Sequence, residues 1–145
     1  MMRMPAEFAR HERTVMCWPS RHELYGARVL EAKRAHAIVA KTISGFEPVT
    51  MIANETDASE AAALCGDTVD VVSLAIDDAW FRDSGPIYVT DGVQREGTCW
   101  TFNGWGNKFT PYANDAKIAA KWLQTQGEPA RHVDMVLEGG SINVD

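Results

Sequence analysis

The stretch Asp77-Asp78-Ala79-Trp80-Phe81-Arg82-Asp83-Ser84-Gly85-Pro86 places three carboxylates, an indole, a guanidinium and a Gly-Pro turn within ten residues. An apolar run at residues 69–76 precedes it, and a second run at residues 87–90 follows it. The pattern therefore predicts a loop at the end of a buried strand. Such loops commonly carry function, because a rigid scaffold holds their side chains in place.

The residue types in this loop suit a planar cation. Asp83 lies three residues beyond Trp80, so that a carboxylate and an aromatic face can border one small pocket. A carboxylate accepts two parallel hydrogen bonds from a guanidinium, which also stacks on an indole. The alternative is an acidic turn in which Arg82 pairs with Asp77 or Asp78 while Trp80 caps the core.

A divalent cation site is a third interpretation of the same loop. Calcium accepts several oxygen ligands, and Asp77, Asp78 and Asp83 would supply them. The presence of Trp80 and Arg82 within the loop argues against this interpretation.

Composition limits the class of ligand. The chain has 145 residues, 46% of them hydrophobic, with a net charge of −6 and a pI near 5.2. This charge argues against a nucleic-acid or anionic-membrane surface and favours a small cationic partner. No apolar run approaches the ~20 residues of a membrane span, and the first residues lack the apolar core of a signal peptide. We therefore expect a cytoplasmic protein without membrane or nucleic-acid partners.

Cysteine usage points to a reducing compartment. The chain has three cysteines, Cys17, Cys65 and Cys99, an odd number without metal-ligand spacing. This pattern favours reduced, packed thiols over a disulfide framework.

The hydrophobic pattern predicts an α/β organisation. Strands are expected at residues 14–18, 48–53 and 68–76, with helices at 27–43 and 55–64 between them, and this alternation favours adjacent parallel strands. The first helix should bury Leu30 and Ile38 and turn Lys33 outward. The remaining predictions are a hairpin at 87–90 and 97–102, a helix at 115–126 and a strand at 132–137.

A glycine-rich segment, Asn103-Gly104-Trp105-Gly106-Asn107-Lys108, interrupts the regular pattern. Two glycines flanking an indole are typical of a loop that brings backbone close to a ligand. A plain glycine-rich turn is the alternative.

The sequence resembles the agmatine deiminase and bacterial, Porphyromonas-type peptidylarginine deiminase family. The run D-D-x-W-x-R-D-[ST]-G-P matches that family's signature, and the resemblance spans essentially the whole chain. The collinear pieces that carry it are Met4-Pro5-Ala6-Glu7-Phe8, His11-Glu12-Arg13-Thr14, Trp18-Pro19, Phe102-Asn103-Gly104-Trp105-Gly106-Asn107-Lys108, Pro111-Tyr112 and Leu137-Glu138-Gly139-Gly140-Ser141-Ile142.

The resemblance implies a fold and a chemistry. The fold is the pentein, a five-bladed α/β propeller, of which this chain would form about the first two repeats. The chemistry is hydrolysis of a guanidinium to a ureido group and ammonia through a cysteine thiolate, with no metal and no cofactor. Agmatine, converted to N-carbamoylputrescine in putrescine biosynthesis, is the expected substrate. The alternatives are a peptidyl- or free-arginine deiminase and a non-catalytic guanidino-binding module.

The resemblance also assigns site residues. Asp83 and Glu138 become the catalytic and guanidinium-binding carboxylates, and Trp80 and Trp105 become substrate-binding walls. Asp78 would instead shape the loop through hydrogen bonds to backbone amides.

Two neighbours of these site residues receive supporting roles. Asp77 would help to shape the loop in the same way as Asp78. Arg82 is expected to form an ion pair rather than to act in catalysis.

The family's nucleophilic cysteine and catalytic histidine lie later in its sequence than the L-E-G-G motif. His132-Val133-Asp134 precedes that motif and lacks the preceding glycine, so we interpret it as a strand leading to the site. Residues 1–145 are therefore expected to form the N-terminal part of a single deiminase domain, inactive alone. Open strand edges would make self-association possible.

Overall fold

The computed structural model describes all 145 residues and divides them into two compact units. We name His11–Phe81 the α/β unit, and Met1–Arg10 together with Arg82–Asp145 the mixed-sheet unit. Each unit is built around one three-stranded sheet. No helix of the chain combines the length and apolar character needed to cross a membrane.

The sheet of the α/β unit is entirely parallel. Its strands are β1 (Thr14–Cys17), β2 (Val49–Ala53) and β3 (Val69–Ser73), in the spatial order β1-β2-β3. All five residues of the central strand β2 are buried, as expected for a continuous apolar run in a covered parallel sheet. The predicted alternation of parallel strands and helices is confirmed.

Helices connect these strands. α1 (His22–Tyr25) and a 3-10 helix (Gly26–Arg28) lead into α2 (Val29–Ser44), and α3 (Ala58–Cys65) follows β2. β3 ends at Ser73, earlier than the sequence predicts: the N–H of Leu74 still donates to the carbonyl of Ala53, but that of Ile76 donates to the side chain of Asn54.

The buried stripe of α2 differs from the prediction. Lys33 is only 5% exposed, because its ammonium binds Asp57 at 3.2 Å and Glu60 at 2.5 Å. The prediction that Lys33 points outward is therefore wrong. Leu30 and Ile38, expected inside, are 41% and 61% exposed.

The sheet of the mixed-sheet unit combines both strand directions. β4 (Ile87–Thr90) and β5 (Arg95–Thr101) form the predicted antiparallel hairpin, and β6 (Ala130–Val136) pairs with β5 in parallel. The outer edge of β4 is bridged by Arg3, whose backbone exchanges hydrogen bonds of 2.9 and 2.8 Å with Thr90.

Three short elements and one long helix complete this part of the chain. α4 (Phe81–Ser84) precedes β4, and α5 (Gly104–Asn107) follows β5. α6 (Asp115–Gln126) has the bounds that the sequence predicts and buries Ile118, Trp122 and Leu123. A 3-10 helix, Gly139–Ser141, follows β6.

Candidate functional site

Asp78 anchors the loop that follows β3. Its side chain is completely buried, and one carboxylate oxygen accepts the backbone N–H groups of Ser20 at 3.1 Å and Arg21 at 3.4 Å. The other oxygen accepts the hydroxyl of Tyr25 at 3.3 Å. Because these partners lie in the loop after β1, Asp78 joins two loops at the carboxyl ends of parallel strands. Asp78 thus binds backbone amides as predicted.

The pKa of Tyr25 is raised by its burial and by the neighbouring Asp78. Burial, together with the negative charge of Asp78 and the hydrogen bond to it, raises the pKa of Tyr25 to about 12. The hydroxyl therefore stays a donor to a higher pH than an ordinary tyrosine would, and the bond to Asp78 is charge-assisted.

Trp80 carries a guanidinium on its ring. The guanidinium carbon of Arg21 lies 4.8 Å from the centroid of the half-buried Trp80 indole, within cation–π range. We predict that this indole face binds the guanidinium of a ligand. In the structure the guanidinium of Arg21 stacks on it. Trp80 belongs to the α/β unit, whereas Asp83, Glu138 and Trp105 belong to the mixed-sheet unit.

Asp83 lies against the turn that follows Glu138. The N–H of Gly140 donates to Asp83 Oδ1 at 3.3 Å, and a Cβ on Gly140 would lie 2.9 Å from that oxygen. A Cβ on the buried Gly139 would overlap the carbonyl oxygen of Arg82. Only glycines allow the two segments to approach this closely.

The turn itself is held locally. Both the N–H and the hydroxyl of Ser141 donate to the carbonyl of Glu138, at 2.9 and 2.6 Å. Glu138 is half-buried at the start of the 3-10 helix, immediately before the two glycines that contact Arg82 and Asp83. The structure therefore brings the segments that carry the two predicted carboxylates into contact.

Arg82 forms an ion pair, as predicted. Its guanidinium binds the carboxylate of Glu7 at 2.8 Å, and this hydrogen bond raises the already high pKa of Arg82. The partner is Glu7, whereas the sequence suggested Asp77 or Asp78.

Trp105 lies in a left-handed turn. The φ angles of Gly104, Trp105, Gly106 and Asn107 are all positive, between 56° and 73°. The side chain of Asn103 accepts the N–H of Gly106 at 2.8 Å and holds the turn. Since a left-handed backbone is costly for a non-glycine residue, this conformation at Trp105 is a strained feature of the kind found at functional sites.

The Trp105 indole packs among aromatic rings. It makes edge contacts with Phe102 and Phe109, at centroid distances of 5.2 and 5.7 Å, and is half-buried. Its role in ligand binding stays a prediction.

Comparison with known proteins identifies the family. The model of the Porphyromonas-type peptidyl-arginine deiminase family matches residues 3–145. The chain belongs to this family. Its motif D-D-x-W-x-R-D-[ST]-G-P contains Asp78, which anchors the loop after β3, and Asp83, which accepts the hydrogen bond from Gly140.

Relatives in this deiminase family agree in sequence and fold. The agmatine deiminase of Stutzerimonas stutzeri is 43% identical over 150 residues, which cover 98% of this chain and 40% of that protein. The solved agmatine deiminase of Enterococcus faecalis is 31% identical with a TM-score of 0.95, covering 99% of this chain and 41% of that one. A cysteine-to-serine variant of C. jejuni agmatine deiminase with substrate bound is 26% identical with a TM-score of 0.84, covering 99% and 43%.

These likenesses confirm the predicted pentein fold. The chain spans about two fifths of the length of the curated relatives it matches.

The three cysteines of this deiminase-family chain lie in its interior. Cys17, Cys65 and Cys99 are all buried and free of disulfides. Burial raises the pKa of the Cys65 thiol and of the Cys99 thiol, which is opposite to the shift that produces a reactive thiolate.

His132 and Asp134 lie on β6, where the sequence analysis expected a strand. They face a groove of about 300 Å³ between the sheet and α6, which Asp83 and Glu138 do not line. No group of three or more His, Cys, Asp or Glu side chains is arranged to hold a metal ion.

Sequence reasoning did not find Arg21 or assign a role to Tyr25. Both follow Trp18-Pro19, in the segment that leaves the carboxyl end of β1. Their position after a parallel strand is the signal that could have drawn attention to them.

Proposed function

We propose that residues 1–145 form the first part of a single deiminase catalytic domain that hydrolyses agmatine to N-carbamoylputrescine and ammonia. The observation that carries this proposal is the contact between Asp83 and the turn after Glu138. It holds together the two segments whose carboxylates the family motif assigns to the guanidinium. Membership of the deiminase family supplies the reaction class.

The residue types fit the chemistry of a guanidinium. This group is planar and offers only hydrogen-bond donors, so ionised carboxylates are its best partners. In the proposal Asp83 and Glu138 accept hydrogen bonds from the N–H groups of the guanidinium. Trp80 and Trp105 contact the faces of the guanidinium or the carbon chain of the ligand. Orientation of the guanidinium carbon toward a thiolate then lowers the barrier to attack.

Agmatine is preferred over arginine on electrostatic grounds. Agmatine carries two positive charges and no carboxylate, which suits a chain with a net charge of −6. The named relatives from Stutzerimonas stutzeri and Enterococcus faecalis are agmatine deiminases. A site for free or peptidyl arginine would have to accept a carboxylate or peptide backbone beside the guanidinium.

A binding role without turnover is the second candidate for this chain. The buried cysteines favour it, because Cys65 and Cys99 have thiol pKa values raised by burial. In this candidate the chain recognises the guanidino ligand but does not itself supply the nucleophile.

Two further features belong to the proposal. We place the protein in the cytoplasm, because its three cysteines are free thiols and thiols stay reduced there. Self-association is also proposed, through the outer edge of β6, which ends the strand order β4-β5-β6 and has six of its seven residues exposed.

A binding and turnover experiment on the purified chain tests the function. We expect isothermal titration calorimetry to detect agmatine binding and no binding of putrescine, which lacks the guanidinium. We also expect no ammonia release. Equal binding of both amines would contradict guanidinium recognition. Ammonia release that disappears on replacement of Cys17, Cys65 or Cys99 would contradict the exclusion of these thiols.

A further inference from the structure

The guanidinium of Arg21 occupies the ring of the residue proposed to contact the ligand's guanidinium. Its central carbon is 4.8 Å from the centroid of the Trp80 indole. Both residues lie within the α/β unit. An internal group with the chemistry of the ligand therefore stacks on Trp80.

The position of Arg21 is fixed by the fold. Its backbone N–H donates to the buried Asp78 at 3.4 Å, next to the bond from Ser20 at 3.1 Å. Asp78 is also two residues before Trp80 in the chain. The carboxylate thus fixes the point from which the Arg21 side chain extends, close to the ring on which it stacks.

The stacking has a consequence for affinity. A ligand guanidinium either displaces Arg21 from the indole or shares the ring with a second positive charge, and both are unfavourable. A cation–π contact of ordinary strength corresponds to about 2- to 30-fold in affinity. Only molecules whose Trp80 ring is unoccupied bind the ligand readily. The apparent dissociation constant therefore equals the intrinsic one divided by the fraction of such molecules.

We propose that Arg21 is an internal competitor for the Trp80 face, which a guanidino ligand displaces when it binds. The proposal rests on the proposed function of Trp80 as a guanidinium-binding wall. It adds a regulatory element to that site, since Arg21 lowers affinity and rejects ligands too weak to displace it. A role in positioning Trp80 would have the opposite sign, because removal of Arg21 would then weaken binding.

NMR titration of agmatine into the isotopically labelled chain tests this proposal. Arg21→Gln retains the backbone N–H that Asp78 accepts, and Arg21→Lys keeps the charge while losing the planar stack. Arg28→Gln is the control, because Arg28 is an exposed arginine of the neighbouring 3-10 helix. We expect Arg21→Gln to tighten agmatine binding by about 2- to 30-fold, Arg21→Lys to tighten it less, and Arg28→Gln to leave it unchanged.

A second readout uses the wild-type chain and needs no variant. The δ protons of Arg21 should show an upfield ring-current shift from Trp80 that disappears as agmatine saturates the site. Unchanged or weaker binding by Arg21→Gln, or a ring-current shift retained at saturation, would overturn the competitor role alone. If no form of the chain binds agmatine, the proposed function fails and the inference falls with it.

Discussion

The N–H of Gly140 donates a hydrogen bond of 3.3 Å to Oδ1 of Asp83, which lies 57 positions earlier in the chain. This contact joins the segment that begins at Arg82 to the turn that begins at Glu138. Two segments distant in sequence thereby share one local frame within the mixed-sheet unit. Precise placement of carboxylates is what recognition of a planar cation requires.

Replacing Gly139 by alanine should disrupt this frame. The new Cβ would overlap the carbonyl oxygen of Arg82, and backbone cannot move aside as a flexible side chain can. We expect a loss of about 1–3 kcal/mol in the free energy of unfolding and weaker agmatine binding. Urea unfolding and calorimetry measure the two effects.

Gly45→Ala is the matched control for this change. Gly45 has a negative φ, and its nearest atom is a backbone oxygen at 3.4 Å, an ordinary contact. Its unfolding free energy should change by less than about 0.5 kcal/mol. If the two alanine variants were equally stable and bound agmatine equally well, the close approach at Gly139 would have no structural importance.

Removing the Asp78 carboxylate should have a graded effect. Asp78→Ala leaves two backbone N–H groups and the Tyr25 hydroxyl without their buried acceptor, which we expect to cost at least about 2 kcal/mol of unfolding free energy. Asp78→Asn should cost less, because its carbonyl oxygen can still accept the two amides. Asp70→Ala, on the exposed side of β3, should be nearly neutral. An Asp78→Ala chain as stable as wild type in urea unfolding would refute the anchoring role.

The stability of the α/β unit should fall at high pH through Tyr25. Burial and Asp78 raise its pKa from 10.0 to about 12, so folding favours the protonated phenol. The contribution of Tyr25 to the free energy of unfolding is complete below its unfolded pKa of 10.0. It is lost as the pH rises toward the pKa of about 12 in the folded chain. We expect wild type to lose more stability than Tyr25→Phe across this window in urea unfolding. Identical pH dependence in the two proteins would show that burial and Asp78 do not raise the pKa of Tyr25.

The regular elements could be predicted because their signals are local. The continuous apolar run of β2 and the periodic apolar residues of α6 each predict the observed element to within a residue. The parallel order of the first sheet followed from the alternation of strands and helices.

The errors came from contacts between distant residues. Lys33 is inside because Asp57 and Glu60 neutralise it, a pairing that helical periodicity does not contain. β3 stops early because the N–H of Ile76 donates to the side chain of Asn54 at 3.0 Å instead of to a strand.

The candidate site was predicted from the motif only in part. The motif named Asp83 and Glu138, and the structure shows the contact between their segments. The stacking of Arg21 on Trp80 and the left-handed backbone at Trp105 depend on tertiary structure, so local sequence patterns do not predict them. The ligand roles of Trp80 and Trp105 stay predictions.

The central claim is that Asp83 binds the guanidinium, and agmatine binding by Asp83→Asn tests it most directly. Asparagine can keep the bond from Gly140, but its NH₂ group directs donors at a ligand that itself offers only donors. Asp134→Asn is the control, because Asp134 is an exposed residue of β6. Circular dichroism should show that both variants are folded.

We expect calorimetry to show a dissociation constant for agmatine about 10- to 100-fold higher for Asp83→Asn than for wild type, and an unchanged value for Asp134→Asn. A folded Asp83→Asn chain that binds agmatine within about twofold of wild type, or an Asp134→Asn chain that loses binding to the same extent, would contradict the account.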